Sequence, residues 1–122
     1  MQSNFSIFGK GPILFIGAHP DDVELGCGGL IDKLKKSYEI YVLTLSKNLK
    51  NPDNKNLVDE QIKSLLSLGI KRKNILHADF VTREFSYSRQ EVCDFLWKIK
   101  QKIKPSAVFT TPYDIHQDHQ VC

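Results

Sequence analysis

Apolar residues along this chain follow two rhythms, short unbroken runs and stretches at helical spacing, and the two alternate. Pro12 to Ala18 (PILFIGA) is an apolar run ended by His19-Pro20 and reads as a buried strand. Val23, Leu25, Leu30, Ile31 and Leu34 then suit a helix from Val23 to Leu34. Glu39 to Ser46 (EIYVLTLS) is β-branched and aromatic, which predicts a second strand. Lys47 to Asn56 is polar, contains Pro52 and reads as a loop. Leu57, Val58, Ile62, Leu65 and Leu66 recur at helical spacing, with Gly69 as the stop. Asn74 to Phe80 is a third strand. Ser88 and Glu91 form a capping box ahead of a helix with the stripe Val92, Phe95, Leu96, Ile99 and Ile103. Pro105 ends that helix, and Ala107 to Thr111 (AVFTT) is a fourth strand.

The order is therefore β-α-β-α-β-α-β. Continuous apolar strands separated by helices predict a parallel sheet covered on both faces, a Rossmann-like three-layer α/β/α arrangement. Right-handed crossovers in the doubly wound pattern give the strand order 3-2-1-4. In that order the first and fourth strands are neighbours, and the winding reverses between them. Ligands of open α/β sheets bind at the carboxyl ends of such strands.

Two polar clusters fall at that place. One follows the first strand: His19, Pro20, Asp21, Asp22 and Glu24, with Gly26, Gly28 and Gly29 just beyond. The other follows the fourth: Tyr113, Asp114, His116, Gln117, Asp118 and His119. Imidazole together with carboxylate is ligand chemistry for zinc or another first-row divalent ion. Taken singly, each residue has a plainer reading. A histidine at a strand end is commonly a hydrogen-bonded structural group. An aspartate at a helix start is commonly a cap. Two such clusters converging on one switch point favour a metal site over those readings.

Composition narrows the classes. The 122 residues fit one domain, 1–122, able to bury about two-thirds of its unfolded surface. Hydrophobic content of 41% and charged content of 25% are ordinary for a globular domain. A net charge of +3 is mild, and Lys47, Lys50, Lys55 and the Lys71-Arg72-Lys73 run lack interleaved aromatics, so no nucleic-acid partner is expected. No run approaches the roughly 18 apolar residues of a membrane span. The first residues lack the layout of a secretory signal. Cys27, Cys93 and Cys122 are odd in number and widely spaced, which fits a reducing, cytoplasmic setting. Homo-oligomerisation stays open.

The segments AHPDDVELGCGG and TPYDIHQDH resemble the two signature stretches of the PIG-L (LmbE-like) N-deacetylases, and the likeness runs from about Pro12 to Gln120. The resemblance implies the N-terminal catalytic portion of such a domain, truncated at its C-terminus. It implies a zinc-dependent hydrolase, with Fe2+ or another divalent ion as the alternative metal. The substrate class is an N-acetylglucosamine-type amino sugar or glycoconjugate, in polysaccharide, glycolipid or thiol-glycoside biosynthesis. Carried over by residue, His19, Asp22 and His119 are metal ligands and Asp21 is the general base on the attacking water. His116 assists at the tetrahedral intermediate, and Asp118 orients a histidine. The chemistry is consistent, because two neutral imidazoles and one carboxylate leave a zinc site net positive.

Other residues receive plainer expectations. Gly26, Gly28 and Gly29 do not form Gly-x-Gly-x-x-Gly and are expected to allow close packing of the first helix. Glu24 either supports the ligands or lies on the surface. Cys27 is expected to be a small buried thiol, His77 a structural residue away from the metal, Tyr113 a pocket wall and Asp114 a partner of the ligands. Ser46-Lys47-Asn48 stands where many family members carry an Arg-Gly-Glu-like stretch, and Leu57 where an arginine is frequent. Two rival classes stay open: a metal-dependent phosphoesterase, and a non-catalytic nucleotide-binding module on the same fold.

Overall fold

The computed structural model of the protein describes residues 8–20, 22–46, 56–80 and 89–110, the Leu25 side chain excepted. Four strands are present: β1 (Ile13–Gly17), β2 (Ile40–Thr44), β3 (Ile75–His77) and β4 (Ala107–Phe109). Between them lie α1 (Asp22–Leu34), α2 (Leu57–Ser67) and α3 (Arg89–Ile103), with a 3-10 turn at Arg72–Asn74. The strands form one sheet in the order β3-β2-β1-β4, with all three pairings parallel. The expected topology is the observed one.

Alternation along β1 creates the layers. Successive strand residues point to opposite faces. Ile13 and Phe15 join Val23, Ile31 and Leu34 of α1 and Leu65 of α2 in one buried cluster. Leu14 and Ile16 join Leu43, Leu45 and Val92 in the other, with Phe95, Leu96, Ile99 and Ile103 of α3 packed against them. Helices α1 and α2 therefore cover one face, and α3 covers the other. Each fully buried Ile, Leu or Phe contributes roughly 1.5–3 kcal/mol from area removed from water. Because β1 lies between β2 and β4 and is buried along its whole length, it is the axis of the core.

Gly69 ends α2 as expected, and the reason is visible. Its φ of +94° lies in the left-handed region that side chains disfavour. The Gly69 N–H donates to Leu66 O at 2.9 Å, and the Ile70 N–H to Leu65 O at 3.1 Å. These are the two bonds of a Schellman ending, and Leu65 and Ile70 share a core cluster. The expected apolar stripe of α2 needs one correction. Leu66 is exposed, and Gln61 and Leu65 are the helix's buried residues. Of the capping box proposed for α3, Ser88 lies outside the described residues. No helix among the described residues is long and apolar enough to cross a membrane.

Candidate active site

The first site forms where β1 hands the chain to α1. Gly17 is the last residue of β1, and a Cβ there would stand 3.0 Å from Val23 Cγ2 and 3.1 Å from the Asp22 Cβ. A side chain there would force Val23 and Asp22 to give by a few tenths of an ångström, so glycine lets α1 begin this close to the strand end without strain. The turn then closes on itself. The His19 N–H donates to Asp22 Oδ2 at 2.9 Å, and the Asp22 N–H reaches His19 O at 3.3 Å. Asp22 begins α1, where a carboxylate also meets the positive end of the helix dipole.

This turn holds two side chains of the expected ligand set together. His19 Nδ1 is 3.9 Å from Asp22 Oδ2, and the side chains are 12% and 18% exposed. Both groups are thus reachable from solvent without being surface residues. The separation is within the roughly 4.2 Å that a Zn–N and a Zn–O bond span together. An imidazole and a carboxylate at this spacing fit a first-row divalent ion as two of its ligands. Among the described residues, no group of three or more His, Cys, Asp and Glu side chains gathers for a metal. Asp21, Tyr113, Asp114, His116, Asp118 and His119 lie outside the described residues.

Strand β4 ends beside this turn. Phe109 is in register with Phe15 of β1, and their rings stack at 5.0 Å with planes 14° apart. A cavity of about 90 Å³ opens there, bounded by Phe15, Asp22, Val23, Cys27, Phe109 and Thr110. It marks the switch point, where the order of strands reverses. A larger groove of about 480 Å³ lies at the opposite end of the sheet, bounded by Lys35, Lys36, Tyr38, Ile70 and Lys71. None of the expected site residues borders it, so size does not identify the site here.

Three neighbouring expectations can be placed. Cys27 is half-buried, and burial pushes its thiol above the ordinary range, which opposes thiolate chemistry. A Cβ at Gly26, Gly28 or Gly29 would meet no described atom within 4 Å. Close packing therefore does not account for these glycines among the described residues. Glu24 is half-buried rather than on the surface. Its Oε1 accepts from Gln61 Nε2 at 3.1 Å.

Gln61 is the residue that the sequence reading missed. It is fully buried on α2, where it also donates to Thr44 Oγ1 at 2.9 Å and meets His77 Nε2 through its Oε1 at 2.6 Å. β3 ends at His77, short of the expected Phe80, and this amide links His77 to the first motif. The available signal was a glutamine four residues after Leu57 and four before Leu65, on the stripe that faces the core.

Comparison with known proteins agrees with this fold. Residues 14–122 match the family model described as PIG-L: GlcNAc-PI de-N-acetylase. The chain is similar to the uncharacterized deacetylase YaiS of Escherichia coli K12, at 31% identity over 114 residues, covering 88% of this chain and 61% of that protein. It is similar to diacetylchitobiose deacetylase of Thermococcus kodakarensis at 30% identity over 122 residues, covering 88% of this chain and 45% of that one. The inhibitor-bound structure of N,N'-diacetylchitobiose deacetylase from Pyrococcus horikoshii superposes with a TM-score of 0.79 at 29% identity. That match covers 99% of this chain and 49% of the other. A conserved protein of Thermus thermophilus shares the fold, with a TM-score of 0.72 at 23% identity, over 91% of this chain and 51% of the other. The chain thus spans about half to three-fifths of the length of these relatives.

Proposed function

The chain belongs to the PIG-L family, and on that premise we propose that it is the catalytic portion of a zinc-dependent N-deacetylase acting on an N-acetylglucosamine-type amino sugar or glycoconjugate. Residues 1–122 are, on this reading, part of a single deacetylase domain. The observation that carries the proposal is the His19–Asp22 pair, held at the carboxyl end of β1 beside β4. The deacetylases among the relatives support the substrate class.

His19 and Asp22 would hold the metal, with His119 as the third ligand. A divalent ion bound there supplies positive charge that polarises the acetyl carbonyl and lowers the pKa of water toward ~7. The remaining chemistry falls to the chain. Asp21 takes a proton from the attacking water as its oxygen adds to the acetyl carbon. His116, protonated, stabilises the oxyanion of the tetrahedral adduct and donates a proton to the departing nitrogen. Asp118 fixes a histidine in orientation through a hydrogen bond. The C–N bond breaks, and acetate and the free amino sugar leave. An amide needs the proton on nitrogen because an unprotonated amine leaves poorly. Free thiols at Cys27 and Cys93 support a reducing, cytoplasmic setting.

Metal analysis of the intact protein tests the proposed site. We expect about one tightly held zinc or iron per chain, lost in His19→Ala. A folded protein that binds no divalent ion, or a His19→Ala variant that keeps it, would contradict the assignment.

A further inference from the structure

Four elements meet around one buried amide. Gln61 on α2 is fully buried and Thr44 at the end of β2 nearly so. The Gln61 side chain reaches Glu24 on α1, Thr44, and His77 at the end of β3. Gly17, Thr44 and His77 are in register across β1, β2 and β3, so the amide lies at the carboxyl end of the sheet. That is the end that carries His19 and Asp22.

The contacts constrain the amide's direction. The Gln61 NH2 group has two donors, and it faces the Glu24 carboxylate at 3.1 Å and the Thr44 hydroxyl at 2.9 Å. A carboxylate only accepts, so reversing the amide would set two acceptor oxygens against each other. The carbonyl oxygen must then face His77 Nε2, at 2.6 Å. A carbonyl also only accepts, so the proton of the neutral imidazole is on Nε2.

We propose that Gln61 is a positioning residue of the candidate site, whose amide fixes His77 as the Nε2–H tautomer and ties β3 to Glu24 of the helix that bears Asp22. A tautomer set by a fixed partner gives the imidazole one hydrogen-bonding identity at Nδ1, that of an acceptor in the neutral ring. The tether also keeps α1 at a fixed spacing from β3. The activity part of this proposal rests on the deacetylase reading, whereas the tautomer part does not.

Nitrogen-15 NMR of the histidine rings in the intact protein reads the tautomer directly, beside kcat and KM on an N-acetyl amino sugar. Wild type is expected to show His77 protonated at Nε2, and Thr44→Val is expected to retain that tautomer. Gln61→Met, which keeps length but removes both polar atoms, is expected to give a mixture and to lower kcat/KM by about tenfold. An Nδ1–H tautomer in wild type would overturn the proposal, as would Gln61→Met leaving the tautomer unchanged. A shifted tautomer with undiminished kcat/KM would overturn the positioning role. The wild-type spectrum needs no variant, and Gln61→Leu, which also removes both polar atoms, replaces a Gln61→Met protein that fails to fold. Absence of amine release in wild type would defeat the deacetylase reading, and the spectra would still decide whether Gln61 sets His77.

Discussion

Asp21→Asn is expected to lower deacetylase turnover by about 10²–10⁴-fold while the metal stays bound. The carboxylate and the amide have nearly the same shape, but only the carboxylate accepts a proton from water. Asp21 stands between Pro20 and Asp22, and Asp22 is committed to the turn through the His19 N–H. On the proposed mechanism the two neighbouring carboxylates have separate duties, one holding the turn and the metal and the other handling the proton. Measuring kcat and metal content on the same preparation checks this. Loss of metal together with activity would make Asp21 a ligand or a structural group. Unchanged turnover would remove it from the mechanism.

The second large effect is on stability. Phe15→Ala is expected to destabilise the fold by about 3–5 kcal/mol, a large part of the ~5–15 kcal/mol that holds a domain together. Phe15 has no exposed surface, lies on the central strand, and stacks on Phe109, which in turn meets Phe8 edge-on at 5.5 Å. Removing the ring would enlarge the cavity beside Asp22, because Phe15 forms part of its wall. It would also loosen the β1–β4 seam beside the His19–Asp22 turn. Urea denaturation of the intact protein measures the change as a lower midpoint at unchanged slope. A loss below about 1 kcal/mol would show that the seam is not part of the core.

The fold was legible in the sequence because each layer has a simple cause. A strand buried on both faces must be apolar at every position, and Ile13 to Gly17 is. A helix covering one face must be apolar at helical spacing, and α3 is, with Val92 buried and Phe95, Leu96, Ile99 and Ile103 packed beside it. The closeness of His19 and Asp22 was legible for a related reason. A strand that stops at Gly17 and restarts as a helix at Asp22 leaves few ways to place the residues between.

Polar burial was harder to see. Gln61 and Leu66 exchange the roles that hydrophobicity alone assigns them, because Gln61 finds three polar partners contributed by α1, β2 and β3. Pairings between residues 16 and 37 positions apart are set by the packing of the elements, and no local pattern encodes them. The same limit applies to Glu24, whose partner lies on another helix. The roles of Asp21, His116, Asp118 and His119 rest on motif resemblance and on the chemistry of their side chains.

Product analysis on N,N'-diacetylchitobiose and N-acetylglucosamine tests the central claim most directly. The intact protein is expected to release one free amine for each acetate, to stop when a chelator removes the metal, and to resume when zinc is returned. Release of inorganic phosphate from a phosphomonoester with no amine from either sugar would contradict the account, as would amine release indifferent to chelation.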